Sequence, residues 1–195
     1  MYKKSRFKIS FNSPAVLGFT ALCALAQLLN LLTGGMSNLL VFSVSAAPLT
    51  DPLTYVRCVC HVFGHNDWSH LMNNMMYILI LGPMLEEKYG KGGIIKVILI
   101  TALTTGIVNM VFFPYQILLG ASGVVFAFIL LSSIATRDKN SIPVTFILVA
   151  LLYIGQQVYE GIFLNDNVSQ ITHIIGGAVG SVLGFTMQKV SRSRR

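Results

Sequence analysis

From Gly92 to Ser133 the chain carries a single charged residue, Lys96. A run of that length can cross a hydrocarbon core of about 30 Å twice, because one crossing takes about 20 mostly apolar residues. No water is available there, so each segment must close its own backbone hydrogen bonds, which means helices. Comparable apolar stretches recur and give six candidate spans, at roughly 14–32, 69–86, 93–113, 121–136, 143–163 and 170–189. With 54% hydrophobic and 11% charged residues among 195, the chain is too apolar for a soluble domain of its size. The expectation is an all-α polytopic membrane protein, a six-helix bundle occupying residues 1–195 as one domain with no soluble module.

A net charge of +7 raises the question of nucleic acid, and the placement of the charge answers it. Lys3, Lys4, Arg6 and Lys8 precede the first span, while Lys88, Lys91 and Lys96 sit between or just inside the second and third. Arg137 and Lys139 follow the fourth, and Lys189, Arg192, Arg194 and Arg195 close the chain. If the spans alternate, all of these share one side and Arg57 alone takes the other, a positive-inside pattern with both termini cytoplasmic. No basic surface with interleaved aromatics is present, so the expected partner is the lipid bilayer and not nucleic acid. The start superficially resembles a signal peptide ending at Val44-Ser45-Ala46. Ala46, however, lies about fourteen residues past an apolar run that is itself long enough to span, so a retained first helix is expected.

The one long connection, 33–68, falls on the outer side and holds Gly34-Gly35, Pro48, Pro52, Trp68 and the apolar band Leu39 to Phe42. A polar loop would lack that band, so the segment is expected to lie in the membrane interface, partly helical. The other loops are short and force neighbouring spans into antiparallel pairs. Cys23, Cys58 and Cys60 form no disulfide framework, and Cys58 and Cys60 are too close in sequence to pair easily. The fourth span is short: about 15 residues from Ser122 to Thr136 reach only about 22 Å. Arg137-Asp138-Lys139 fixes its cytoplasmic end, so its other end should stop below the outer surface, with Pro114 to Leu119 dipping inward to meet it.

That buried helix start coincides with Gly120-Ala121-Ser122-Gly123. The first turn of a helix carries unpaired N–H donors and a positive dipole end, both of which favour developing negative charge. Gly120 and Gly123 allow a sharp turn and close approach. An accessible hydroxyl beside an oxyanion-binding N–H is what acyl transfer needs, although the same small residues also suit a helix-packing face. His173 lies in the last span with Ile171, Ile174 and Ile175 around it, and Gly176, Gly180 and Gly184 follow at four-residue spacing. A small-xxx-small stripe lets helices meet backbone to backbone, and Gly123 and Ala127 offer the matching stripe on the fourth span. Pressing the two together would bring His173 toward Ser122 as a general base, the alternative being a purely structural histidine. His70 and Asn74, at i and i+4, share one face of the second span and present N–H donors suited either to an oxyanion or to structural bonds. His61-x3-His65 with Cys58-x-Cys60 hints at a metal, but neither the His-Glu-x-x-His pattern nor a closed-site spacing occurs, so no metal or cofactor is expected. Bracing of the outer loop is the simpler role for His61 and His65.

Together these motifs resemble the rhomboid intramembrane serine proteases of the bacterial six-helix type. His61-x3-His65-x4-His70-x3-Asn74, Glu86 with Gly90, Gly120-x-Ser122-Gly123 and His173-x2-Gly176-x3-Gly180 occur in the family's order over roughly residues 55–190. The resemblance implies Ser122 as nucleophile and His173 as base, a dyad without a third acid, with His70, Asn74 and the Ser122 N–H as oxyanion hole. It also implies transmembrane protein substrates and entry past the fifth span (Pro143 to Phe163), while chain length and the lack of any organelle-targeting segment lead to the expectation of a bacterial plasma membrane. Two positions depart from the pattern: Val56 replaces the tryptophan of the family's Trp-Arg pair before Arg57, and Phe126 stands where many members have tyrosine. A catalytically inactive relative that binds membrane proteins is the main rival reading. A proton-relay transporter lacks both the ionisable path and the inverted repeats it would need.

Overall fold

The computed structural model of the chain describes residues 10–135, 137–138, 141–163 and 167–193. Lys3, Lys4, Arg6, Lys8, Lys139, Arg194 and Arg195, part of the charge asymmetry above, lie outside the described residues, as does Thr136. Seven α-helices order the described residues: α1 (Pro14–Leu32), α2 (Met36–Leu40), α3 (Pro52–Cys60), α4 (Trp68–Phe112), α5 (Ser122–Ile134), α6 (Val144–Phe163) and α7 (Asn167–Ser193). A helix or helical arm therefore occupies most of each of the six expected segments. Among the described residues, three helical stretches qualify by length and apolarity to cross a membrane on their own, in α1, α4 and α7, and α5 and α6 are shorter apolar helices.

The 45 residues of α4 are two arms joined at Gly90, whose φ of 75° and ψ of 164° break the helical path. A connection over 87–92 was expected; one glycine does the work, because it alone takes a positive φ without strain. The second arm folds back along the first. Gly82 of the first arm packs on Val16 and Phe128, whereas Gly93, just past the break, meets Met187 of α7, and Thr101 and Thr105 higher on the second arm meet Gly123.

Just before the break, Glu86 is buried and receives the N–H groups of Ala15 and Val16 on its two carboxylate oxygens, both at 3.0 Å. Pro14 stands in the first turn of α1 and has no N–H to offer, so the carboxylate takes the next two donors. An anion at a helix N-terminus is favoured by both the donors and the dipole, which is how a buried carboxylate is accommodated here.

The core surrounds α5, which packs on α4, α6 and α7. Eight of its 13 residues are buried, among them Val124, Ala127, Phe128 and Leu131, as expected of a helix apolar all round. It is shorter than expected. Ser132 and Ser133 turn their hydroxyls onto the carbonyls of Ile129 and Leu130, and the N–H of Ala135 bonds Ser132 at i−3, tightening the end at Ile134. At about 20 Å, α5 is well short of a bilayer core of about 30 Å.

The 33–68 connection is partly helical, as expected, and tightly tied. Val44 and Leu118 exchange both backbone hydrogen bonds at 2.9 Å, and Asn109 donates its amide to Val44 at 3.1 Å and to Gln116 at 3.0 Å. Arg57 donates Nε to the Leu40 carbonyl at 2.8 Å and lies 3.6 Å from Asp51, which itself caps α3 through the Leu53 N–H. Val56, beside it, is exposed, so the change from tryptophan removes no core contact.

Candidate active site

Ser122 opens α5 half-buried, with Ala121 before it in a non-helical conformation and no side chain capping the first turn. Val125 makes the first intrahelical bond, to Ala121, so the N–H groups of Ser122, Gly123 and Val124 have no partner within the helix. The chain reaches this point as expected of an inward-dipping segment: Tyr115 is exposed, Leu118 half-buried and Gly120 buried. Gly120 has a φ of 126°, and its N–H donates to the His61 carbonyl at 2.9 Å. A side chain there would meet the His70 ring at 2.9 Å and the Ser122 Oγ at 3.9 Å, which shows how closely histidine ring, glycine and hydroxyl are gathered.

One turn along α4 from His70, Asn74 is buried and its Nδ2 finds no hydrogen-bond partner. An amide donor left unpaired at this depth is costly unless something else occupies it. His70 itself is half-buried, its N–H held by the Asp67 cap and its ring edge-on to His65 at 5.0 Å.

The glycine stripe of α7 is pressed into α5. A methyl at Gly176 would strike the Gly123 backbone, 2.9 Å from its Cα, and one at Gly180 the Ala127 backbone, 2.6 Å from its Cα. Gly184 meets the side chains of Leu131 and Ile134. Each step of four on α7 thus matches a step of four on α5, so the helices run in the same direction in fixed register. His173, three residues before Gly176, lies about 4.5 Å further up the axis, level with the start of α5. Its ring lies on Phe126 at 4.5 Å between centroids, and Phe126 in turn on Tyr153 of α6 at 4.4 Å. Phe126 therefore keeps a ring against the histidine, tilted by 45° and not stacked flat. Nδ1 of His173 bonds Oε1 of Gln157 at 2.8 Å, a partner the sequence reading missed. The available signal was the Gln156-Gln157 pair in an apolar span.

His61 and His65 brace the 33–68 connection. His61 Nε2 bonds Thr105 Oγ1 at 3.2 Å, and since that hydroxyl donates to Thr101 at 2.8 Å, the imidazole is the donor. His65 donates Nδ1 to Phe63 at 3.1 Å, and its carbonyl accepts the Asn38 amide at 2.8 Å. Burial pushes both imidazoles from 6.5 down to about 4, with the neighbouring His70 adding to the effect on His65.

The known proteins that this chain is similar to are rhomboids. The pattern described as "Rhomboid domain" matches residues 52–190. Rhomboid-like protein 11, chloroplastic, of Arabidopsis thaliana is 26% identical over 69% of this chain and 53% of its own length. Rhomboid-related protein 2 of Mus musculus is also 26% identical, over 71% and 53%. Rhomboid protease GlpG of Yersinia pseudotuberculosis is 25% identical over 88% and 62%. The chain thus spans between about half and three fifths of the length of these relatives.

Proposed function

The chain belongs to the rhomboid family of multi-pass membrane proteins, and from that premise we propose that it is an intramembrane serine endopeptidase acting through Ser122 and His173. The observation that carries the reading is the backbone-to-backbone register of α5 on α7, which sets His173 level with the first turn holding Ser122. In this reading all six apolar segments cross the bilayer, both termini are cytoplasmic, and the site opens outward. His173 takes the Ser122 proton as the oxygen attacks a peptide carbonyl in another protein's transmembrane segment. The Ser122 N–H, His70 and the unpaired Asn74 amide receive the oxyanion. Protonated His173 then returns the proton to the leaving amine, and water hydrolyses the acyl-enzyme. A helical substrate hides its carbonyls, so cleavage favours segments with small or helix-breaking residues that unwind locally. Substrates enter laterally past α6. The name of the Yersinia relative supports a protease, and a bacterial plasma membrane is the proposed location.

The test is labelling of the purified protein in detergent with a serine-reactive fluorophosphonate, beside cleavage of a transmembrane substrate. Ser122→Ala and His173→Ala should each lose about 10⁴-fold or more while keeping their helical content. Cleavage surviving in Ser122→Ala removes the mechanism. A wild type that stays unlabelled while another serine hydrolase reacts in the same detergent favours an inactive, membrane-protein-binding relative.

A further inference from the structure

The described side chains of α6 bury two residues, Tyr153 and Gln157, one turn apart. Both reach the histidine: Tyr153 through the Phe126 ring, Gln157 by the direct 2.8 Å bond to Nδ1. Most of the rest of this helix is exposed, including Leu151, Leu152, Ile154, Val158 and Tyr159. A glutamine only 1% exposed in such a helix is costly unless its amide is used. Its oxygen can only accept, so the imidazole nitrogen facing it must carry the proton. In a neutral ring that leaves Nε2 as the basic nitrogen. A carboxylate would hold the ring the same way, but at the cost of burying a charge; the amide supplies the acceptor without one.

We propose that Gln157 is a positioning residue that fixes His173 in its Nδ1–H form, so that α6 holds the base in its working state only while packed against α7. The inference rests on the peptidase reading above. Displacement of α6 separates Gln157 from His173, and the helix that would admit substrate is then the one that orients the base.

The test pairs a spectrum with a rate. With ¹⁵N-labelled histidine, and the His173 signals identified from a His173→Gln sample, the neutral ring should appear as the Nδ1–H tautomer. In Gln157→Leu it should shift toward Nε2–H, while Gln157→Glu should retain the Nδ1–H form. Fluorophosphonate labelling should fall about 10-fold or more in Gln157→Leu and recover in Gln157→Glu, at similar thermal midpoints. An Nε2–H tautomer in the wild type overturns the proposal, as does a Gln157→Leu protein with the wild-type spectrum and rate. If the wild type never labels, the peptidase reading falls, and the spectrum alone then decides the Gln157 bond.

Discussion

Gly120 shows how much one residue can carry. It has a φ of 126°, lends its N–H to His61, and leaves room for the His70 ring where a side chain would stand. Gly120→Ala therefore imposes two penalties at once: a backbone conformation that L-residues resist, and a methyl 2.9 Å from Nε2 of His70. The expected result is a loss of about 1–3 kcal/mol in unfolding free energy, with labelling falling by more than stability alone accounts for. The imidazole can swing away from the methyl, but on the proposed mechanism only by leaving the place where an oxyanion donor is needed. Wild-type labelling in Gly120→Ala would take His70 out of the oxyanion hole.

At the scale of elements, the α5–α7 contact sets a graded expectation. Gly176 and Gly180 face backbone, which cannot yield, whereas Gly184 faces the side chains of Leu131 and Ile134. Gly180→Val should cost about 1–3 kcal/mol and remove labelling, because it separates the helices whose register sets His173. Gly184→Ala should be tolerated better, and Gly155→Ala, with nothing within 4 Å, should be neutral or slightly stabilising. Thermal unfolding of the three variants beside their labelling rates checks the order. This stripe was legible in the sequence, since four-residue glycine spacing has few other uses in an apolar helix. The span of α1 was legible too, with Pro14 marking its first turn and Leu32 its last residue. The end of α5 was not, because it depends on where Ser132 and Ser133 send their hydroxyls. The bond of Gln157 was not either: which of the adjacent Gln156 and Gln157 meets the histidine is decided only once α6 lies beside α7.

At the scale of the whole molecule, the 33–68 connection is held by neutral histidines, and acid should loosen it. His61 and His65 stand at about 4 when folded, against 6.5 for a free imidazole, so between those values an opened loop binds protons that the closed one refuses. Their contribution is complete above about pH 6.5 and is lost as pH falls toward 4, a change on the order of 1–3 kcal/mol each. Hydrogen exchange over residues 33–68 should accelerate through that window, and His61→Gln should flatten the response. A flat wild-type profile would mean that these imidazoles stay neutral in the open loop as well. The ties of this loop also have an order in time. Synthesis proceeds from the amino end at roughly 5–20 residues per second. Val44 must wait for Leu118, His61 for Gly120, and the start of α1 for Glu86. His173 comes last, some fifty residues after Ser122. On the proposed mechanism, a chain still leaving the ribosome carries a serine with no base beside it, and stays harmless to the membrane proteins being inserted around it until α7 joins.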